Sequence, residues 1–400
     1  MHPHTSRQRP PRAVVYSEYP ATHACAHIRI LSPLLASGFE IIWNPRLESP
    51  APSIDTDIAK SADIIIIQRQ FPSYRTEAAL SRLLNLRIPV VYDLDDMLLA
   101  PPATHPSFAE LSRRGTYIKW MLDTVDLVIV STPELKNSLQ TFTTNRRICV
   151  IPNLVDWAIF HSPPRTQEYK FNFLISGTST HSEDWAIIEP PLAQMLDSFS
   201  GRVNAIFFGQ PPTALSNHPF VRSIDFEGIY TKYAQILKTL EIHAALTPLA
   251  DTEFNKCKSD IKWLEYSAAG IPGAFSDIEP YRSSIASENT GLLVPNTHES
   301  WLQAMKKLVE EPALASSIAQ RAQKQVFELH SIDHQATNFA APYFNLLDTP
   351  RRSRRLSGLA TFGQRLQVRL WRSLNNSQFL SKHFLWRFTD RRPHSVDQQK

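Results

Sequence analysis

Glycine is scarce in this chain, with 11 in 400 residues. The first apolar run is followed by "YPATHACAH" where a dinucleotide-binding protein would carry G-x-G-x-x-G. Those glycines let backbone approach a pyrophosphate, so their lack argues against a nicotinamide-dependent dehydrogenase. Cysteine is scarcer still: Cys25, Cys149 and Cys257 lie far apart and form no CxxC or Cys/His ligand spacing. This excludes a disulfide framework and a cysteine-based zinc site, and it leaves Cys149 in "RICVIPN" as a small core residue. No apolar run approaches the roughly 20 residues that span a bilayer. The start, "MHPHTSRQRPPR", has no signal-peptide core, so a cytoplasmic protein with a frayed N-terminus over residues 1–11 is expected. There is no repeat of fixed period and no low-complexity tract.

What is present is a globular composition, 42% hydrophobic and 20% charged, in a chain longer than one core usually serves. The net charge of +4 hides an asymmetry. From Arg351 onward twelve basic residues face only Asp390 and Asp397, a net +10, which leaves −6 on residues 1–350. Within the basic tail, taken as 346–400, Phe362, Leu366 and Leu370 recur every four residues beside Arg365, Arg369 and Arg372. That pattern suits an anionic membrane surface. A solvated tail or a terminal helix packed on the first domain are the other readings, and no recognition motif supports nucleic acid.

Short β-branched runs alternate with helix-like stretches: "RAVVYSE", "FEIIWN", "ADIIIIQR", "IPVVYDLDD", "DLVIVST" and "RICVIPN", then "YKFNFLISGT", "VNAIFFGQ", "VRSIDFEG", "IHAALTPL", "IPGAFSD" and "TGLLVPN". Runs such as Ile64 to Ile67, apolar at every position, suit parallel strands covered on both faces. The sequence therefore predicts two tandem doubly wound α/β domains of Rossmann-like type, 12–155 and 169–345, joined by the Pro-containing linker 156–168. Ligands in such sheets lie beyond the carboxyl ends of the strands, so a cleft between the domains is the expected site.

Residues 254–273, "FNKCKSDIKWLEYSAAGIPG", place unusual charge at the front of one short helix. Ile261, Leu264 and Ala268 share a face, Ser259 or Asp260 is a plausible N-cap, and Gly270 is a stop. Lys256 and Lys258 precede the first turn, where free N–H groups already favour an anion. Lys262 and Glu265 share a second face, where a carboxylate one or two turns deeper can accept hydrogen bonds from sugar hydroxyls. Phosphate in front and polyol behind describe a nucleotide sugar; a solvated face with an ordinary salt bridge is the plainer reading of the same spacing.

The string from Pro248 to Val294 resembles the donor-binding segment of GT-B glycosyltransferases, specifically the large retaining family called glycosyltransferase group 1 or family 4. In that family a glutamate opening "E-A-x-A-x-G-x-P-V" binds the donor ribose, and Glu265 in "EYSAAGIPG" matches it. The family's second acid lies eight residues earlier, where this chain has Cys257, and the resemblance leaves Lys258, Lys262 and Asn255 to take over donor binding. "FLISGTSTHSEDW" resembles the turn that meets the donor phosphates, with Gly177, Thr178, Thr180 and His181 in place of the usual Arg and Lys. His181 reads equally as a capping or surface histidine. "CVIPNLVD" resembles the string closing the family's first domain, so Asn153 and Asp156 are expected to shape the interdomain turn.

In "PVVYDLDDMLL" three acids, Asp93, Asp95 and Asp96, follow a strand within four residues. Their mutual repulsion should raise at least one pKa. Asp93-Leu94-Asp95 has the look of the metal-binding D-x-D of GT-A enzymes. The favoured reading places the loop at the reacting sugar, where the GT-B family often carries His-Asp, with Asp95, Asp93 and the donor-side Glu265 as the catalytic set and Asp96 on the acceptor side; a capping aspartate with two solvated ones is the structural alternative. At the first strand-to-helix connection Arg29 is a candidate for phosphate or acceptor contact, whereas His23 and His27 lack a third metal ligand. Together these expectations describe a metal-independent hexosyltransferase that needs no cofactor, moving sugar from a nucleotide-sugar donor to a glycan or lipid-linked acceptor. A non-catalytic binding or scaffold relative and a nucleotide-sugar epimerase are the rival readings.

Overall fold

Each of the β-branched runs forms a strand. In the computed structural model, which describes residues 9–44, 54–164, 170–177, 181–285 and 289–349, the first six are β1 (Arg12–Tyr16), β2 (Glu40–Asn44), β3 (Ile64–Gln68), β4 (Val90–Leu94), β5 (Leu127–Val130) and β6 (Ile148–Val150). They pair in the order β2-β1-β3-β4-β5-β6, every pair parallel. Ile64, Ile65, Ile66 and Ile67 are all fully buried, because helices cover both faces of the sheet. The second six are β7 (Phe171–Ser176), β8 (Val203–Phe208), β9 (Val221–Ile224), β10 (Ala244–Thr247), β11 (Gly273–Ser276) and β12 (Leu292–Val294). They form a second parallel sheet in the order β12-β11-β10-β7-β8-β9.

Each order reverses once, between β1 and β3 in the first sheet and between β7 and β10 in the second. At such a switch point the two flanking loops leave in opposite directions and open a crevice beyond the strand ends. The loops after β1, β3, β7 and β10 are therefore where ligand chemistry belongs.

Both sheets lie within one compact unit, residues 1–351. Its last helix, Ile332–Asp348, departs from the expectation that residues up to 345 belong to the second domain. Ile332, Ala336, Phe339, Ala340 and Tyr343 pack into the first sheet's core with Val15, Ile30, Leu34 and Val91. Spacings of three and four put these residues on one stripe, and burying each large apolar side chain is worth about 1.5–3 kcal/mol. The chain thus crosses back to its first domain.

The linker is held as well. Gln323 Nε2 donates to Ser162 O at 2.6 Å and to Ala268 O at 3.1 Å. Gly270 ends the helix Ile261–Ala268 with φ +69°, and a Cβ there would stand 2.8 Å from Pro163 O. Both the left-handed backbone and the close linker require glycine at this stop. No described helix is long and apolar enough to cross a membrane. The tail from 351, on which the membrane-surface reading rests, lies outside the described residues.

Candidate active site

The helix Ile261–Ala268 is buried on nearly all sides: Trp263, Leu264, Glu265, Tyr266, Ser267 and Ala268 are all inside. The solvated-face reading of its charges therefore fails. Glu265 is 5% exposed and accepts hydrogen bonds from Tyr230 Oη at 2.8 Å and Tyr233 Oη at 3.2 Å. Burial raises its pKa to about 7, opposed by the two phenols and by Lys262. Lys262 Nζ donates to Ser176 O at the end of β7. Burial, and then the charge of Lys258, lower its pKa to about 8. The helix thus offers a half-neutral carboxyl beside two tyrosines and a cation that a nearby anion would stabilise.

The loops after β7 and β10 are tied together across the switch point by one residue, Asp184. Its Oδ1 accepts from Ala250 N at 2.8 Å and from Asn255 Nδ2 at 3.0 Å, while Oδ2 faces His181 Nδ1 at 2.7 Å. Asn255 also donates to Ala250 O at 3.0 Å and is buried, so it shapes the loop from within. Gly177 leaves room for the imidazole: a Cβ at 177 would stand 2.9 Å from His181 Cδ2. Burial, followed by the charge of Lys262, pushes His181 down to about 4. For Asp184, burial works upward but is outweighed by the bond to His181 and the charges of His181 and Lys258, leaving its pKa below the usual carboxylate range. Thr178 and Thr180 lie outside the described residues.

Lys258 is half-buried, with its ammonium 5.5 Å from the centre of the Phe254 ring. Its charge acts on His181, Asp184 and Lys262 of the second domain and on His105 of the first. Lys258 therefore stands where the two domains meet. Lys256 does not share that position: it pairs with Asp251 at 3.0 Å and Glu253 at 3.1 Å. Asp260 precedes the helix without capping it, its Oδ2 accepting instead from Ser284 Oγ at 2.6 Å.

Cys257 points the other way. Its thiol lies 3.3 Å from Ser138 Oγ, its carbonyl accepts from Thr132 Oγ1 at 3.0 Å, and the side chain belongs to the first domain's core. The position that holds an acid in the resembling family is here a packing contact between the domains.

Two expected site residues are withdrawn from the cleft. Arg29 and Asp93 are fully buried and paired, Nη2 to Oδ2 at 2.9 Å and Nε to Oδ1 at 3.3 Å. Arg29 Nη1 also donates to Ile151 O at 2.7 Å and Asn153 Oδ1 at 2.9 Å. Both side chains are closed off from solvent and spent on each other, which places Arg29 away from any phosphate or acceptor contact and Asp93 away from catalysis. Burial raises the Asp93 pKa despite Arg29, and desolvation rather than repulsion among the acids is the main cause. Asn153 continues the chain of contacts by donating to Ser259 Oγ at 2.7 Å, in the loop ahead of the Ile261–Ala268 helix.

Asp95 and Asp96 remain at the mouth of the first sheet, and both meet Arg69, a residue not singled out in the sequence. Arg69 follows β3 with φ 48°, pairs with Asp95, and reaches Asp96 Oδ2 at 3.6 Å. Its guanidinium lies 5.7 Å from the centre of the Tyr19 ring, which stacks on His23 at 4.2 Å. A left-handed backbone at a side-chain-bearing residue costs on the order of 1–3 kcal/mol and is held here by surrounding contacts. With Asp93 on Arg29 and Asp95 on Arg69, the D-x-D pair is not presented as a joint chelate. His23 and His27 also face different partners, Tyr19 and Ser32. Among the described residues no three His, Cys, Asp or Glu side chains are grouped as metal ligands.

Tyr230, Tyr233 and Asp184 were not singled out either. The i, i+3 spacing of Tyr230 and Tyr233 in "IYTKYAQIL" and of His181 and Asp184 in "HSEDW" was legible, but which face each pair turned was not.

Comparison with known proteins bears on the fold. Residues 191–341 match the family model described as glycosyl transferase-like. No curated protein sequence is matched. Among solved structures, sucrose-phosphate synthase from Thermosynechococcus elongatus superposes with a TM-score of 0.64 at 13% identity, covering 84% of this chain and 99% of that one. HepE from Anabaena, in complex with UDP and glucose, gives 0.59 at 16% identity over 84% and 100% of the two chains. WaaG, a glycosyltransferase involved in lipopolysaccharide biosynthesis, gives 0.58 at 12% identity over 85% and 100%. At these identities the likeness is one of fold.

Proposed function

We propose, on the premise that this chain is a glycosyltransferase of the GT-B fold, that it binds a nucleotide-sugar donor at the β7/β10 switch point and transfers the sugar to a glycan or lipid-linked acceptor held over the first sheet. The observation that carries the reading is the meeting of Lys258, Lys262 and His181 beyond the ends of β7 and β10, with the nearest carboxylate, Asp184, already engaged by Ala250, Asn255 and His181. An anion entering there meets the ammonium groups of Lys258 and Lys262, with Asp184 already engaged and Glu183 exposed on the same first turn.

The diphosphate would lie against Lys258 and Lys262, near the start of the Ser182–Ser198 helix, whose N-cap His181 makes no side-chain capping bond and whose dipole favours negative charge. Glu265, held by Tyr230 and Tyr233, would accept from donor hydroxyls deeper in the site. As the sugar–phosphate bond breaks, charge grows on the leaving diphosphate; fixed cations in a partly dry cleft stabilise it more than they stabilise the bound donor. Asp95 and Asp96, oriented by Arg69, face the acceptor side and would order its hydroxyls. Lysines supply the charge that a metal supplies elsewhere, which favours a metal-independent reaction. Retention of configuration and a role in polysaccharide or cell-surface glycan synthesis come from the family resemblance and form part of the proposal.

Bound UDP and glucose in HepE support trying uridine donors first. The test is sugar transfer from labelled UDP-, GDP-, dTDP- and ADP-sugars to a lipid-glycan extract, with wild type and Lys258→Ala compared. Transfer by wild type, reduced about 10²- to 10³-fold by Lys258→Ala without loss of fold, is the expected result. Equal rates for the two proteins would remove Lys258 from the mechanism.

A further inference from the structure

Asp184 does two things at once in the geometry above, and the second has a chemical consequence. One carboxylate oxygen fixes the loop after β10 through Ala250 and Asn255, and the other faces His181 Nδ1 at 2.7 Å. A carboxylate only accepts, so the ring nitrogen facing it must carry the proton. In the neutral imidazole the other nitrogen, Nε2, then offers a lone pair and no proton. A lone pair is the wrong group to meet a phosphate oxygen.

We propose that Asp184 is a positioning residue that holds His181 as the Nδ1–H tautomer, and that His181 takes up a proton at Nε2 when the diphosphate of a nucleotide-sugar donor enters. The histidine then turns from hydrogen-bond acceptor into donor at the moment an anion is there to receive it. This rests on the donor site proposed above and names how that site answers its ligand.

The charged groups around the ring determine the direction. Lys262, from the Ile261–Ala268 helix, and Lys258, from the loop before it, oppose a third positive charge; Asp184, on the histidine's own helix, favours it. Burial adds to the opposition, so the free site holds His181 neutral. A bound diphosphate offsets both lysines and reverses the balance. Lys262 answers the same anion in a separate range, because its own ammonium is depressed to about 8 in the free site. Gly177 permits the arrangement, since a Cβ there would press on the imidazole.

Calorimetric titration of UDP-glucose, GDP-mannose, dTDP-glucose and ADP-glucose, each in two buffers of different ionisation enthalpy, measures the protons taken up. These donors suit the purpose because their diphosphates, esterified at both ends, hold their charge from pH 5 to pH 9. For whichever donor binds, wild type should take up close to one proton at pH 6, and affinity should rise by up to about tenfold per pH unit as pH falls through that range. His181→Asn should bind with no uptake at pH 6 while keeping the uptake near pH 8.5 that belongs to Lys262. Nitrogen NMR of the imidazole should report Nδ1–H in the free protein and, in Asp184→Asn, a mixture of tautomers with a displaced pH profile. Binding by wild type with a flat pH profile, or uptake at pH 6 that persists in His181→Asn, overturns the proposal and leaves the donor site standing. Binding of none of the four at any pH overturns both.

Discussion

Arg29 and Asp93 form a fully buried ion pair, Nη2 to Oδ2 at 2.9 Å, linking the helical segment His27–Leu31 to the end of β4. Through Asn153 the same guanidinium is joined to Ser259, one residue before Asp260 and the helix that carries Lys262 and Glu265. Two residues that read as substrate contacts in the sequence therefore support the fold.

Removing one partner leaves the other charged, buried and unpaired. Arg29→Met should cost about 3–5 kcal/mol in urea unfolding, and Arg29→Met with Asp93→Leu should recover part of that loss. A single substitution that lowers turnover at unchanged stability would place Arg29 back in the site.

Glu265 and Lys262 give stability an unusual dependence on pH. The folded pKa of Glu265, about 7, is above its unfolded value, so its contribution is complete in acid and is lost as pH rises through 7. The folded pKa of Lys262, about 8, is below its unfolded value, so its contribution is complete in strong alkali and is lost as pH falls through 8. Unfolding free energy measured against pH should show a trough between the two. Each limb should be on the order of 3 kcal/mol at most. Glu265→Gln should remove the acid-side fall and Lys262→Met the alkaline-side rise. A flat profile in wild type would show that neither group is held as described.

Cys257 occupies the position of an acid in the resembling family, yet it packs against Ser138 in the first domain's core. Cys257→Ala should cost about 1 kcal/mol. Cys257→Glu should cost roughly 3–5 kcal/mol, because the carboxylate would be buried without a partner, and should give no gain in transfer. Faster transfer by Cys257→Glu would mean that the loop turns toward the donor during the reaction.

The strands were legible because each sequence run carries its own evidence: apolar side chains at every position leave few other places for a segment such as Ile64 to Ile67. The helix Ile261–Ala268 was legible for a similar reason, since Lys262 and Glu265 fall three residues apart and Gly270 marks its stop. The partners were not. Whether Asp93 meets substrate or Arg29 depends on a contact across 64 residues, and whether Glu265 meets solvent or Tyr230 on one across 35. A local pattern reports the face of an element but not what another element brings to it. Helix Ile332–Asp348 shows the same limit, its apolar stripe being plain in the sequence and its destination on the first sheet not.

Calorimetric titration of the intact chain at pH 8 with the UDP-, GDP-, dTDP- and ADP-sugars, set against the same titration of Lys262→Met, tests the central claim most directly. The account predicts that wild type binds at least one of these donors and that Lys262→Met, still folded, binds it at least tenfold more weakly. Binding of equal strength in the two proteins, or no binding of any donor by wild type, would contradict it.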